Sequence, residues 1–319
     1  MARVIILNCV SNMVASDGIK LLYQQAALLN EGGIEAKVFQ PDGWPVWLDR
    51  GFSRSLMCQE IFVESDDVVV FPLTAFDKLR ASLAAKWPCR KLFYCHDPYV
   101  MVMKGITASL LKEWGILKVL VPNKWCRDTL KSFMNLDNID IIPPFVDIED
   151  SPQILKEFFV AIHLEYKLDY MNSPFSFEKG IFFTKHPEFN RKLSWQNLCT
   201  KTEAERAAYV KKAALCLSFL RLETTGLRGL EAMAAGSLFF APRGGGCADY
   251  ARSQNGVWFS LEEMESLADM VFEALEGFEN QSASYRMHLN EGFKTASLYT
   301  RQKAAHSIMN AYESLMKRG

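Results

Sequence analysis

No two of the eight cysteines stand in C-x-x-C spacing; Cys9, Cys58, Cys89, Cys95, Cys126, Cys199, Cys216 and Cys247 are scattered, several inside apolar runs. That pattern excludes a zinc ribbon and argues against a disulfide framework, and it reads as reduced thiols in a cytoplasmic protein. The chain has no apolar run of membrane-spanning length. Val4–Leu7, directly behind Met1-Ala2-Arg3, is too short and too soon followed by polar residues to be a secretory signal. Neither sign of charge is in excess. At a net −1 the chain has no general attraction for nucleic acid. The loop after the first apolar run lacks G-x-G-x-x-G, which excludes the usual dinucleotide fingerprint. Repeats and low-complexity segments are absent. What remains is 319 residues, 49% hydrophobic and 23% charged, a globular composition with length for two domains.

Short apolar runs alternate with helix-period segments. Arg3–Val10 predicts a buried strand, residues 11–18 a polar loop, Ile19–Asn30 a helix stopped by Gly32-Gly33, and Ala36–Gln40 the next strand. Asp67–Pro72, Arg90–Cys95 and Leu117–Pro122 predict further strands, and Asn123 caps the helix behind the last. Asp140–Asp147, with Pro143-Pro144, reads as the closing strand of a first domain and a stiff exit from it. Beyond it we expect a helix over Ile154–Met171, whose aromatic residues Phe158, Phe159, Tyr166 and Tyr170 serve core packing, and a strand over Gly180–Thr184. A helix over Thr202–Lys212, a short strand over Val257–Phe259 and two amphipathic helices, Leu261–Phe278 and Tyr299–Lys317, complete the pattern. Such alternation implies an α/β protein with parallel sheets.

The most informative stretch is Ser218–Gly246. An apolar strand, Ala214–Phe219, leads to the turn Glu223-Thr224-Thr225-Gly226, a helix over Leu227–Ala235, a stop at Gly236 and a second strand, Leu238–Ala241. Thr224 or Thr225 can cap the helix, Gly226 allows close approach, and unpaired N–H groups at the helix start suit an anion. Glu223 and Glu231 flank the turn eight positions apart, where carboxylates can accept hydroxyl hydrogens of a sugar.

Glu-x7-Glu, Gly226-Leu227, Glu231-Ala232-Met233-Ala234-Ala235-Gly236, then Gly244-Gly245-Gly246 and Asn255-Gly256 resemble the donor half of retaining glycosyltransferases of the large GT-B group known as family 4. The match covers about thirty residues and is silent on the sugar. The resemblance implies an α/β, GT-B architecture of two Rossmann-like domains facing across a cleft. Residues 1–147 would form the acceptor domain, 148–298 the nucleotide-sugar domain, and 299–319 a final helix packing back on the first. It implies that Glu231 holds the nucleotide ribose, that Glu223 contacts the transferred sugar, and that Thr225, Gly226 and Leu227 lie at the diphosphate.

Further positions follow from the same resemblance. Gly18 matches a glycine loop near the donor phosphates and the acceptor, although the family's double glycine is missing. His96, at the end of an apolar strand and followed by Asp97-Pro98, matches a histidine near the transferred sugar. Lys185, with either Arg191 or Lys192, stands for the family's pair of diphosphate-binding cations. The implied reaction moves a sugar from a UDP- or GDP-linked donor to a glycan, lipid-linked or small-molecule acceptor with retention. No cofactor and no metal are expected, in keeping with the lack of a D-x-D triplet. Such a protein would be cytoplasmic, and a lipid-linked acceptor would bring it to the inner face of the membrane. A sugar phosphorylase or epimerase of the same architecture, and a non-catalytic glycan-binding or partner subunit, are the alternatives.

Overall fold

The structure, a computed structural model, describes residues 2–147, 155–163, 174–199, 201–220, 223–260, 262 and 264–316. It divides into two compact units, residues 1–145 with 301–319, and residues 146–300.

The first unit is built on β1 (Val4–Leu7), α1 (Asp17–Glu31), β2 (Ala36–Phe39), β3 (Met57–Cys58), β4 (Val68–Pro72) and α2 (Phe76–Ala84). There follow β5 (Arg90–Tyr94), α3 (Pro98–Met103), α4 (Ala108–Glu113), β6 (Ile116–Val121), α5 (Lys124–Met134) and β7 (Ile139–Ile141). Among the described residues its strands number seven, all parallel, in the order β3-β2-β1-β4-β5-β6-β7. β1 and β4 are continuous apolar runs with every residue buried, as strands covered on both faces must be. The last strand ends at Ile141, short of the prolines that cannot donate to a ladder. Asn123 caps α5, its side chain accepting from Cys126 N at 2.8 Å.

The second unit holds β8 (Glu157–His163), α6 (Pro174–Lys185), β9 (Ser194–Asn197), α7 (Glu203–Lys212), β10 (Ala213–Ser218) and α8 (Leu227–Ala234). β11 (Leu238–Pro242), β12 (Val257–Phe259), α9 (Met264–Glu279) and α10 (Ala283–Ala296) complete it. Its five strands, counted among the described residues, are parallel in the order β12-β11-β10-β8-β9. Lys156, just before β8, donates to Lys211 O at 2.7 Å and Ala235 O at 2.6 Å, so one half-buried cation caps the C-terminal ends of α7 and α8.

Two expected elements are corrected here. The stretch expected as a helix over Ile154–Met171 contains β8; Ile154, Tyr166 and Tyr170 lie outside the described residues. Phe159–His163 are all buried, which a one-faced helix would not allow, whereas a central parallel strand requires it. Gly180–Thr184, expected as a strand, is the last part of α6. Glu178 and Phe182, four apart, are both fully buried, a helical spacing.

The final helix, α11 (Arg301–Met316), belongs to the first unit and lies along α1. Ile308 and Tyr312 are fully buried, and the Arg301 guanidinium pairs with Glu31 and sits 4.8 Å over the Phe145 ring. Lys118 and Arg90 donate to the Ala311 and Leu315 carbonyls near its C-terminus, the end where cations are favoured. Among the described residues no helix is long and apolar enough to cross a membrane.

Candidate functional site

In the second unit, β10 and β8 run side by side and end together, Ser218 opposite His163. From that carboxyl edge, where ligands of open α/β sheets bind, the chain turns through Glu223–Gly226 into α8. Glu223 is 8% exposed and governs the turn. Its Oε1 accepts from Thr225 N (3.1 Å), Thr225 Oγ1 (2.6 Å) and Gly226 N (2.9 Å). Thr225 Oγ1 in turn accepts from Leu227 N at 3.3 Å. The carboxylate therefore closes the turn, and the threonine hydroxyl it holds takes the first amide of the helix. The sequence left the Gly226 and Leu227 amides for an anion; in the structure the turn consumes them, because a buried amide must find an acceptor. Gly226 has φ +73°, and a Cβ there would lie 2.8 Å from Gly246 O, so glycine is required for conformation and for room. Glu231, half-buried, stands one turn further along α8 on the side of β10, close enough to act on Cys216 electrostatically.

The glycine-rich turn after β11 closes against this one. Gly246 N donates to Glu223 O at 2.8 Å, and a Cβ at Gly245 or Gly246 would clash with the backbone of 223–226. Cys247 Sγ lies 3.5 Å from Glu223 Oε2 and 3.2 Å from Tyr250 Oη, and Tyr250 Oη donates to Gly226 O at 2.8 Å. Burial, and next the Glu223 carboxylate, push the Cys247 thiol well above its usual pKa, so it stays protonated and donates. Neither Cys247 nor Tyr250 was picked out by the sequence. The only hint was the glycine run before them.

The cations stand elsewhere than expected. Lys185 is not at a strand end but in the last turn of α6, where it is exposed and bonds Asp269 (2.8 Å) and Glu265 O (3.0 Å). Arg191 and Lys192 are exposed on the segment between α6 and β9. The helix start has a cation of its own in Arg228, at the second position of α8, whose Nη1 lies 3.2 Å from Nδ1 of His163 at the end of β8. An arginine in the first helical turn was a legible signal that the sequence reading passed over.

In the first unit, Gly18 and His96 come together. Gly18 sits in the first turn of α1, not in the loop before it, and a Cβ there would be 3.1 Å from His96 Cδ2, 3.2 Å from His96 Nε2 and 3.0 Å from Thr74 Cγ2. His96 lies two residues past the end of β5, and its Nδ1 is buried without a hydrogen-bond partner, as is Thr74 Oγ1. Burial lowers the His96 pKa from its ordinary 6.5, against the opposing fields of Asp97 and Asp17, so the ring is neutral at pH 7. Asp97 caps α3 through Tyr99 N and Val100 N. Among the described residues no cluster of three or more His, Cys, Asp or Glu side chains could hold a metal ion.

No family model matches the chain. An alpha-1,6-glucosyltransferase of Actinobacillus pleuropneumoniae serotype 7 (strain AP76) is 23% identical over 235 residues, 70% of this chain and 68% of that protein. Sucrose-phosphate synthase of Thermosynechococcus elongatus superposes with a TM-score of 0.71 at 12% identity over the whole of both chains. Anabaena HepE, solved with UDP-glucose, gives 0.62 at 11% identity over 98% of this chain and all of its own. The chain spans only 55% of the length of TarM, which it matches with a TM-score of 0.58 at 15% identity over 80% of itself. These likenesses, with the two all-parallel sheets, give the chain the α/β fold of the GT-B glycosyltransferases, each unit Rossmann-like.

Proposed function

We propose that the protein is a glycosyltransferase that moves a hexose from a UDP- or GDP-linked donor to a glycan, lipid-linked or small-molecule hydroxyl, with retention and without a metal. The β10–α8 junction carries this reading. A carboxylate-closed turn at the sheet's carboxyl edge presents a half-buried glutamate and an arginine on one short helix. The glucosyltransferase relative and the likeness to a protein solved with UDP-glucose support it.

In this reading Glu231 accepts the two ribose hydroxyls, and Glu223 meets the transferred sugar through Oε2, the oxygen facing the Cys247 thiol. Arg228 and the N-terminal dipole of α8 meet the diphosphate, and Lys185 with Arg191 or Lys192 would have to leave their present places to join them. The bond between the anomeric carbon and the diphosphate oxygen breaks. The acceptor oxygen bonds the same face of that carbon, and its proton passes to the departing diphosphate. Charge accumulates on the diphosphate, so fixed cations there lower the barrier. Gly18 is assigned beside the donor phosphates and His96 beside the transferred sugar, the neutral imidazole bonding a sugar hydroxyl.

Calorimetry with UDP, GDP, ADP and TDP in EDTA tests this. One of them should bind, and Glu231→Ala should weaken that binding by roughly tenfold or more, the loss of about 1.4 kcal/mol. If none binds, the reading is wrong and a phosphorylase or non-catalytic role takes its place.

A further inference from the structure

We propose that Tyr250 is a positioning residue of the donor site, fixing the first turn of α8, and with it Glu231 and Arg228, through the Gly226 carbonyl. The inference rests on the donor-site reading above.

Gly226 is the N-cap of α8, and its carbonyl should accept the first helical hydrogen bond. That bond, from Leu230 N, is 3.4 Å long, whereas the Tyr250 hydroxyl donates to the same oxygen at 2.8 Å. The phenol therefore makes the closer contact. On the other side of the residue, Gly226 N donates to Glu223 Oε1 at 2.9 Å. Both polar groups of the cap are thus held by side chains outside the helix, one 3 and one 24 positions away. Cys247 joins those side chains, reaching Tyr250 Oη and Glu223 Oε2, so Glu223, Gly226, Tyr250 and Cys247 form a closed ring of contacts.

A second observation shows that the phenol is accommodated and not incidental. A Cβ at Gly229, the third residue of α8, would collide with the Tyr250 hydroxyl. Glycine inside a helix is unfavourable relative to alanine, and here it leaves the space that the hydroxyl fills. The ring of Tyr250 is 2% exposed and packs edge-on with Trp258 and Tyr299, at centroid distances of 6.1 and 5.9 Å. Packing fixes the ring, and the ring fixes the hydroxyl. A tyrosine that served packing alone would be replaceable by phenylalanine.

Tyr250→Phe is the test, with UDP as the probe and UDP-glucose as donor. We expect UDP affinity and turnover each to fall about tenfold, with faster amide hydrogen exchange at 226–231 in the unliganded protein. Cys247→Ala, which removes the thiol from the ring, should lower affinity and turnover in the same direction as Tyr250→Phe and by less. A lowered melting temperature with unchanged affinity, turnover and exchange would overturn the proposal and leave Tyr250 a packing residue. If the wild-type protein binds none of UDP, GDP, ADP and TDP, the donor reading fails by itself. Exchange at 226–231 then decides alone whether Tyr250 holds the turn: faster in Tyr250→Phe upholds that role, and unaltered exchange overturns it.

Discussion

His96 illustrates how position sets chemistry at the scale of one residue. Its ring is pressed between the first turn of α1 and Tyr94, with Nδ1 buried and unpartnered. Because burial lowers its pKa below 6.5, the folded protein binds this proton less readily than the unfolded chain. Stability gained from the neutral ring is present above pH 6.5 and is lost as pH falls through the depressed folded value. The same protonation would silence a hydroxyl-accepting imidazole. Turnover should therefore show an acid limb below the ordinary histidine range, and His96→Gln should remove that limb and lower turnover by roughly a hundredfold at unchanged UDP affinity. Identical pH profiles in the two proteins would return His96 to a packing role. The residue was singled out from sequence because an apolar run ended in His-Asp-Pro. That Gly18 abuts it could not be read, since 78 positions of chain separate them and only the parallel pairing of β1, β4 and β5 brings α1 over the end of β5.

At the scale of elements, the packing of α6 on α9 leaves a buried carboxyl with no hydrogen-bond partner, Glu178, fully covered and with both oxygens unsatisfied. Burial raises its pKa from 4.5 to about 8, with Lys185 acting against the shift and Asp269 for it. The sign follows directly. Between pH 4.5 and 8 the unfolded chain has lost this proton and the folded one keeps it, so stability falls as pH rises. Glu178→Gln should match the wild type near pH 4.5 and exceed it at pH 8 by roughly 2–4 kcal/mol, flattening the dependence in urea titrations. Equal slopes in both proteins would show that the carboxyl is solvated. This helix is also where the sequence misled. A run such as Gly-Ile-Phe-Phe-Thr is too short for its period to separate strand from helix, and the true strand lies upstream in Phe158–Ile162, where aromatics and β-branched residues were taken for a helical stripe. The β10–α8–β11 passage was readable because each step has its own local signal. β10 is a run of buried apolar residues, the carboxylate and threonines mark the turn, and Gly236 at φ +71° ends the helix. What stayed hidden there was that the Glu223 carboxylate closes the turn and that residues 245–250 complete it.

At the scale of the molecule, the α/β class was legible from alternation alone, because buried parallel strands are continuous apolar runs and the crossovers between them need helices. The first unit draws on both ends of the described chain. Its α1 is covered by α11, whose Ile308 and Tyr312 are fully buried. Ile308→Ala should cost about 2–5 kcal/mol, and the loss should appear as faster hydrogen exchange in α1 while amides of α8, in the other unit, keep their protection. Equal loss in both, or none, would show that α11 does not belong energetically to the first unit.

That arrangement has a consequence for synthesis. On a translating ribosome, residues 1–145 emerge before α11 and cannot cover the side of α1 that α11 packs on, because Arg301, the partner of Glu31, has still to be made. At about 5–20 residues per second that side of α1 stays bare for on the order of ten seconds or more, while residues 146–300 already hold every described strand and helix of their own unit. The later-made unit can finish first, and the earlier one must be kept from aggregating until α11 arrives.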